Sequence, residues 1–400
     1  MKNYSLKRYF VGALSALVLI ACVLSPAKAY ASSGLAVSAG KDFGDGVDTR
    51  QDAIDASAAY ADAGYSTVTF QTPTKSDFTS ENLKADILFL SGHGNADVLS
   101  FGTFKFVCQS GTANSNYTNL WNTAKNQKLI TFAGCNTAGG DSKNGGSGAS
   151  TDSITKRVVD QGAEAAIGWT TTVSAGSHTN WLKRYNNALA DGKSVSQAIN
   201  AANSYIYLPG SGVKNVKYFG NGDLTITSSR SASKTPSNAM TSIDLESNNI
   251  VLQEIVDLAL MNRESFDMPD YCGYIYAAHD GYFIDVYYKS NGVITNAAVT
   301  LHIDFDGEIK EIMAQNILTD SLEDMPMILA EESITPANTS FKTSVAMKEQ
   351  THIRSTEYVS SQTQFEYYDV AEKITYLVTY TEIIDDVGAK YVAEDITPIR

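Results

Sequence analysis

Short apolar runs alternate with segments of helical periodicity along the first half of the chain. Five runs favour strands: Leu35–Ala39, Ser66–Gln71, Ile87–Leu90, Lys128–Ala133 and Ala163–Trp169. Five other segments have helical spacing: Arg50–Ala63, Asn119–Lys125, Ser153–Gln161, Asn180–Leu189 and Val195–Tyr205. Strands that alternate with helices predict an α/β fold, in which a mainly parallel sheet is covered on both faces.

A polar segment divides this pattern from a second one. Thr227–Ser242 is rich in Ser, Lys, Pro and Asn, which is typical of a linker. An amphipathic helix follows at Ile250–Met261, and strand-like segments joined by hairpin signals at Asn291-Gly292 and Asp306-Gly307 come after it. The pattern predicts an α/β domain over residues 32–228, a linker over 229–245 and a smaller α+β domain over 246–400.

Residues 1–31 have the features of a secretory signal peptide. Lys2, Lys7 and Arg8 precede an apolar core that is too short for a stable membrane span. We therefore expect a secreted or cell-surface protein with no transmembrane span. A second interpretation is a lipoprotein anchor, because Leu19–Cys22 fits the bacterial pattern in which Cys22 is lipidated.

Charge is divided unevenly along the chain, whose net charge is −14. Residues 32–230 hold 16 basic and 16 acidic side chains, whereas the residues after 230 hold 10 basic and 28 acidic ones. Because no basic face is available for phosphates, nucleic acid is not an expected partner. The acidic part is expected to serve solubility, or to attract basic peptides or cations.

Two of the predicted strands end in residues that carry chemistry. The run Ile87–Leu90 leads into Ser91-Gly92-His93-Gly94, and the run Leu129–Ala133 leads into Gly134-Cys135. Sites in parallel sheets form just beyond the carboxyl ends of the strands. If these two strands are neighbours, a histidine and a cysteine meet in one crevice, as nucleophilic thiol catalysis requires.

The other cysteines and histidines give weaker signals. Without Cys22, three cysteines remain (Cys108, Cys135 and Cys272), so at least one thiol has no internal disulfide partner. His178 precedes a predicted helix and is expected at the surface. The remaining histidines fit no zinc spacing.

The two strand ends resemble the signature of the caspase-like superfamily of cysteine peptidases, which includes caspases, legumain, clostripain, gingipains, separase and CHAT domains. That signature is an apolar strand ending in His-Gly, followed by an apolar strand ending at the nucleophilic Cys. Here these are Ser91–Gly94 and Phe132–Cys135. Cys135–Ala138 and the later stretch Gly162–Trp169 resemble the CHAT version. The resemblance covers about residues 35–225 and implies a three-layer caspase-like fold of the secreted bacterial type.

The resemblance implies a cysteine endopeptidase that acts on a peptide or protein substrate. Cys135 would attack the scissile carbonyl to give a thioester, and His93 would protonate the departing amine and then activate water. The backbone N–H groups of Gly94 and Cys135 would hold the oxyanion. No metal or organic cofactor is expected. Calcium is a minor option, because several bacterial relatives depend on it.

The sequence does not define a conventional substrate pocket. Ala133-Gly134 stand before Cys135 where caspases have Gln-Ala, and no Arg-lined pocket is recognisable, which weakens the case for aspartate specificity. The pocket candidates follow the first strand and the strand that ends at Trp169: Asp45, Asp48, Trp169, Thr170 and Thr171.

Two further segments have more than one interpretation. The Gly/Ser-rich loop after Cys135 is a flexible surface loop or a processing site at Gly139, Asp141 and Gly148. In the acidic domain, Asp304–Glu308 faintly resembles PepSY-type modules, although an ordinary Asp-Gly hairpin is preferred. That domain is expected to regulate the site within the same chain, to dock substrate or to attach to a surface.

Two alternative functions remain open for the whole chain. One is a catalytically inactive caspase-like binding module, and the other is a surface-attached structural protein. The presence of both His93 and Cys135 favours the peptidase.

Overall fold

A computed structural model describes most of the chain. The described residues are 34–44, 46–111, 114–139, 153–227, 249–261, 265–315, 358–370, 372–385 and 388–399. The predicted signal peptide with Cys22, the linker over 229–245, Asp45, Asp141 and Gly148 lie outside them. We refer to residues 34–227 as the N-terminal part and to residues 249–399 as the C-terminal part.

Ten strands and four helices lie within the described residues of the N-terminal part. The strands are β1 (Leu35–Ala39), β2 (Ser66–Phe70), β3 (Ile87–Ser91), β4 (His93–Asn95), β5 (Val98–Ser100), β6 (Lys105–Val107), β7 (Tyr117–Asn119), β8 (Leu129–Ala133), β9 (Ala165–Trp169) and β10 (Val216–Gly220). The helices are α1 (Arg50–Asp62), α2 (Ile154–Asp160), α3 (Ala175–Ala190) and α4 (Val195–Asn203). Short 3-10 turns lie at Lys75–Asp77, Asn82–Lys84 and Ala124–Asn126.

The described residues of the C-terminal part form one helix and eight strands. They are α5 (Asn249–Leu260), β11 (Ser265–Asp267), β12 (Tyr271–Ala277), β13 (Gly281–Ser290), β14 (Val293–Asp304), β15 (Ile309–Gln315), β16 (Tyr358–Asp369), β17 (Ile374–Ile384) and β18 (Lys390–Pro398). The hairpin predicted at Asn291-Gly292 joins β13 to β14, and both of its residues have positive φ, as a tight hairpin requires.

The first sheet has the strand order β10-β9-β8-β3-β1-β2. All its pairs are parallel except β10 with β9, so the sheet is mainly parallel as predicted. Strands β3 and β8 are neighbours, with Ser91 opposite Ala133 in the last register position. The chain changes direction across the sheet between β1 and β3, which opens a crevice at their carboxyl ends.

Both faces of this sheet are buried. Ile87 and Phe89 of β3 join a core with residues of α1, α3 and α4, whereas Leu88 and Leu90 join a second core with α2. The alternation along β3 follows from the two-residue period of a strand. Ile87–Leu90 is apolar throughout because neither face of the strand meets water.

The short strands β4 to β7 form a small sheet, and no α-helix follows at Asn119–Lys125, where the sequence predicted one. β7 ends at Asn119, and only a 3-10 turn follows. The Asn119 side chain accepts from the N–H groups of Gln109 and Trp121 and donates to the Gln109 carbonyl. The helix prediction was wrong because this side chain supplies the backbone with partners that compete with a helix.

The sheet of the C-terminal part continues into the N-terminal part. Its order runs β11-β12-β13-β14-β16-β17-β18-β4-β5-β6-β7, with β15 beside β14. The join is the antiparallel pair β18–β4, in which Lys390 stands opposite Gly94. The C-terminal part is thus hydrogen-bonded to the strand that carries His93.

A second set of contacts joins the two parts through residues 204–214. The Tyr287 hydroxyl donates to the Tyr207 carbonyl at 2.5 Å, and the Ser204 hydroxyl donates to Glu311 at 3.0 Å. Leu208 packs against Val378 and Val392. Among the described residues, no helix has the length and hydropathy that crossing a membrane requires.

Candidate active site

Buried hydrogen bonds fix the carboxyl end of β3. The Thr49 hydroxyl donates to the Ser91 carbonyl at 2.9 Å, and the Ser91 hydroxyl donates to Asp52 at 2.7 Å. Gly92 follows, and a Cβ there would lie 2.6 Å from the Ser100 carbonyl oxygen. The chain can therefore turn from β3 into β4 at this point only with glycine, which places His93 at the sheet edge.

The carboxyl end of β8 makes an equally tight turn that presents Cys135. A Cβ on Gly134 would lie 2.7 Å from the Gly92 carbonyl oxygen, so the two strand ends touch through their backbones. Asn136 has φ of 56°, a left-handed conformation that asparagine tolerates better than most residues. The Thr137 hydroxyl then accepts from the Trp169 N–H at 3.2 Å and ties the turn to β9.

His93 and Cys135 line one small cavity at this edge, as the sequence predicted. The backbones of Gly94 and Cys135 are adjacent, because a Cβ on Gly94 would lie 3.0 Å from the Cys135 nitrogen. The cavity volume is about 30 Å³. Its lining comes from both parts of the chain: Val47, Asp48, Thr49, Asp52, Gly92, His93, Ala133, Gly134, Cys135, Val173, Ala175, His178, Thr179, Tyr391 and Val392.

The Cys135 thiol is enclosed by the backbone of Val173. Only 2% of the residue is exposed. Val173 N–H donates to Sγ at 3.3 Å, and the thiol lies 3.8 Å from the Val173 carbonyl oxygen, to which it donates. Burial raises the pKa of the Cys135 thiol to about 12, because it disfavours the thiolate. In this arrangement the sulfur is protonated at neutral pH.

The His93 imidazole is held between two aromatic rings. Phe43 lies on one side with ring centroids 3.9 Å apart, and Tyr391 lies at the same separation with the two planes only 17° apart. Phe43 follows β1, so it belongs to the same crevice as His93. Tyr391 comes from β18, almost 300 positions further along the chain.

Strand β18 crosses the edge of the sheet beside the His93 imidazole and the Cys135 thiol. Lys390 pairs with Gly94 of β4 on one side, and Val392 forms a parallel bridge with Ser174 on the other. Tyr391 and Val392 both line the cavity. The C-terminal part therefore contributes one wall of the candidate site.

Two buried ionisable residues in the cavity wall were missed by the sequence reasoning. Asp52 of α1 accepts from the hydroxyls of Ser91 and Thr179, each at 2.7 Å, and burial raises its pKa to about 6. His178 of α3, which was expected at the surface, is buried, and burial lowers its pKa to about 3. The expectation was wrong because the helix begins at Ala175, which turns His178 onto the face that packs on Trp169.

Of the four predicted pocket residues that the structure describes, one lines the cavity. Asp48 lines it, but its carboxylate pairs with Arg50, which lowers the pKa of Asp48. Trp169 is fully buried and donates its indole N–H to the Val213 carbonyl at 2.8 Å. Thr170 and Thr171 lie on the same segment without lining the cavity; the wall is made further along, by Val173.

Cys108 and Cys272 do not line the cavity, and like Cys135 they are free and buried. Gly139, at the start of the predicted processing loop, donates its N–H to the Asn136 carbonyl at 2.8 Å. In the part of the chain that the structure describes, no group of three or more His, Cys, Asp or Glu side chains is placed to hold a metal ion.

Comparisons with known proteins give a distant likeness among solved structures. No family model matches the chain, and no curated protein matches it. Among solved structures, the Arg-specific cysteine proteinase gingipain R is similar at 12% identity with a TM-score of 0.33. The likeness covers 70% of this chain and 58% of that one, so the chain spans little more than half the length of the proteinase.

Proposed function

We propose that this chain is a secreted or cell-surface cysteine endopeptidase of the caspase-like kind, with Cys135 and His93 as its catalytic dyad. The carrying observation is that these two residues follow neighbouring parallel strands and line one cavity. A thiol and an imidazole at one strand edge supply the nucleophile and the general acid–base group that acyl transfer needs.

The proposed reaction follows from these two groups. The Cys135 thiol gives its proton to His93, and the sulfur attacks the carbonyl carbon of the scissile peptide bond. The tetrahedral intermediate collapses to a thioester as the C–N bond breaks, and His93 gives the proton to the departing amine. His93 then takes a proton from water, whose oxygen attacks the thioester, and the acid product leaves with Cys135 again a thiol.

The adjacency of Gly94 and Cys135 supports an oxyanion site. Two backbone N–H groups pointed at one oxygen stabilise the tetrahedral intermediate, and each such donor contributes about 10²–10³-fold in kcat. Gly94 can approach the Cys135 backbone because it has no side chain. These contacts favour the roles that the sequence assigned to both residues.

The wider architecture supports the same proposal. The mainly parallel sheet is covered by α1, α3 and α4 on one face, and by α2 with the small sheet on the other. We interpret this as the three-layer caspase-like domain, followed by an acidic α+β domain. Export through the predicted signal peptide, or anchoring through Cys22, is part of the proposal.

Peptide hydrolysis by matched variants tests the proposal. Because Tyr391 covers His93, the assay uses both the full chain and its Tyr391→Ala variant with a library of fluorogenic peptides. Cys135→Ala and His93→Ala in the Tyr391→Ala background are expected to reduce hydrolysis by at least about 10³-fold. Cys272→Ala and His279→Ala, which change a distant thiol and an exposed imidazole, should leave hydrolysis unchanged.

The same assay separates the peptidase from its alternatives. A folded Tyr391→Ala protein that hydrolyses no peptide, with and without calcium, would favour a binding module or a structural protein. Hydrolysis that survives Cys135→Ala would exclude Cys135 as the nucleophile.

A further inference from the structure

Strand β18 occupies the place where an extended peptide would have to bind. It adds to the free edge of β4 by pairing Lys390 with Gly94, and it bridges to Ser174 on the opposite side through Val392. Addition of a strand to an exposed sheet edge is a recurring way in which proteins bind extended peptides. β4 and residues 172–174 form the two sides of a groove, with Cys135 at its floor.

Tyr391 closes this groove over the catalytic groups. Its ring stacks on His93, and Tyr391 is buried in the same core as Phe43 and Leu99 of the N-terminal part. A cavity of about 30 Å³ holds roughly one or two water molecules and no peptide. A scissile carbonyl therefore reaches Cys135 only after β18 has left.

Glu394 fixes the position of β18 along the groove. Its carboxylate accepts from the Ser177 hydroxyl at 3.4 Å in the first turn of α3, where the helix dipole favours negative charge. Gly176 makes room for it, because a Cβ there would lie 2.7 Å from Glu394 Oε1. The Tyr391 ring thus contacts His93 in the groove, and the Glu394 carboxylate contacts the first turn of α3.

We propose that this groove is the peptide-binding groove of the peptidase and that β18 is its intramolecular occupant, so that the folded chain is a latent enzyme. This inference rests on the proposed function. The occupant that the groove accepts is an extended peptide with an aromatic side chain against His93 and a carboxylate three residues later at the start of α3.

Contacts away from the groove hold the occupant in place. Lys214 and Asp285 form a buried ion pair between the two parts, and Tyr287 donates to the Tyr207 carbonyl. Because these contacts do not touch Cys135, a variant that weakens them tests release of β18 without altering the catalytic groups.

Alkylation of Cys135 in the full chain measures whether the groove is open, and it requires no catalysis. Iodoacetamide labelling is followed by mass spectrometry for the native chain, Tyr391→Ala, Asp285→Asn and the control Tyr376→Ala. Tyr376 lies on β17 of the same sheet and donates to Glu372, outside the groove. We expect Cys135 to react at least about 10-fold faster in Tyr391→Ala and Asp285→Asn than in the native chain. In Tyr376→Ala it should react at the native rate.

Cys108 serves as the internal measure of folding. It is fully buried and does not line the cavity, so its labelling rate should stay low as long as the N-terminal part is folded. A synthetic peptide with the sequence of Lys390–Pro398 is then added to Tyr391→Ala. It should restore protection of Cys135, whereas the same peptide with alanine in place of the tyrosine should protect less.

The readouts separate the failure of this inference from the failure of the proposed function. Faster Cys135 labelling without peptide hydrolysis supports the occupied groove and contradicts the peptidase. Hydrolysis by the native chain at the rate of Tyr391→Ala overturns latency and supports the peptidase. Unchanged Cys135 labelling in both variants, with Cys108 still protected, overturns the inference, as does a failure of the native-sequence peptide to protect.

Discussion

Lys214 and Asp285 form an ion pair in the interior of the protein, with Nζ 2.5 Å from Oδ1 and 1% of each side chain exposed. Lys214 precedes β10 in the N-terminal part, whereas Asp285 lies on β13 in the C-terminal part. The Thr300 hydroxyl donates to the same carboxylate oxygen at 2.6 Å. Burial lowers the pKa of Lys214 and raises that of Asp285, so each charge depends on the other.

Substitutions at Lys214 and Asp285 should have strongly non-additive effects on the free energy of unfolding. Lys214→Met or Asp285→Leu alone should lower the free energy of unfolding by about 3–5 kcal/mol, because each leaves one buried charge without its partner. The double variant Lys214→Met/Asp285→Leu should lose much less, because no charge remains to be desolvated. Urea unfolding of all four proteins checks this. A double variant whose loss equals the sum of the single losses would contradict the coupling.

Gly94→Ala should damage the site only because the added methyl group has no room. A Cβ there would lie 2.5 Å from the Cys135 carbonyl oxygen and 2.7 Å from the Thr137 methyl carbon. Gly94→Ala should cost about 1–3 kcal/mol of stability through overpacking, and in the Tyr391→Ala background it should lower peptide hydrolysis about 10²-fold or more.

Gly44→Ala is the matched control for Gly94→Ala. Gly44 has φ of 71° and a Cβ there meets no atom within 4 Å, so only backbone strain is added. It should cost about 1 kcal/mol and leave hydrolysis unchanged. If both variants lose hydrolysis equally, the close approach of Gly94 to Cys135 is not what the activity depends on.

The two buried ionisable residues in the cavity wall predict opposite pH dependences of stability. The pKa of His178 is about 3 in the folded chain and near 6.5 when unfolded, so the unfolded chain binds more protons between these values. The contribution of His178 to stability therefore falls as the pH is lowered through this window. The pKa of Asp52 is about 6 when folded and 3.8 when unfolded, so its contribution falls as the pH is raised from 4 to 6.

Substitution of each residue separates the two effects. Relative to the native chain, His178→Gln should gain up to about 1.4 kcal/mol of stability for each pH unit between pH 6 and pH 4 on acidification. Asp52→Asn should lose up to a similar amount over the same range. Urea unfolding at pH 4, 5, 6 and 7 measures both slopes. Slopes of the same sign would contradict the assigned burial of at least one of the two groups.

The meeting of His93 and Cys135 at one cavity could be predicted from the sequence because each residue follows an apolar strand. Parallel strands bring their carboxyl ends to one edge, so the positions of His93 and Cys135 depended only on β3 and β8 being neighbours. Strands β4 to β7 could not be read in this way. Each has three residues, which is too short for a two-residue period to be recognised.

The other residues of the cavity wall reach it through tertiary packing, which leaves no recognisable pattern in the local sequence. Asp52 and His178 lie on helices whose inward faces are fixed only when α1 and α3 pack on the sheet. Asp52 is polar within an Ala-rich helix and looks like a surface residue until its partners Ser91 and Thr179 are placed. Tyr391 reaches His93 across almost 300 positions of the chain, and nothing in Lys390–Ala393 beyond its strand pattern indicates that contact.

The covered state of Cys135 predicts how its reactivity changes with pH. With its pKa raised to about 12, the native thiol should be alkylated about 10³-fold more slowly at pH 8 than a thiol at its ordinary pKa, through the lower thiolate fraction alone. The rate should rise about 10-fold per pH unit up to at least pH 10, whereas the unfolded chain should level off near pH 9. Iodoacetamide labelling at pH 7, 8, 9 and 10 measures this, with circular dichroism to verify that the chain stays folded.

The same measurement on Tyr391→Ala distinguishes a covered nucleophile from an inert buried cysteine. Removal of the ring admits water to the cavity and leaves the thiol beside His93, so desolvation weakens and the thiolate becomes more stable. The Tyr391→Ala profile should therefore shift to lower pH, and His93→Ala in that background should shift it back. A profile that His93→Ala leaves in place would show that the imidazole does not act on the thiol, and that exposure alone accounts for the change.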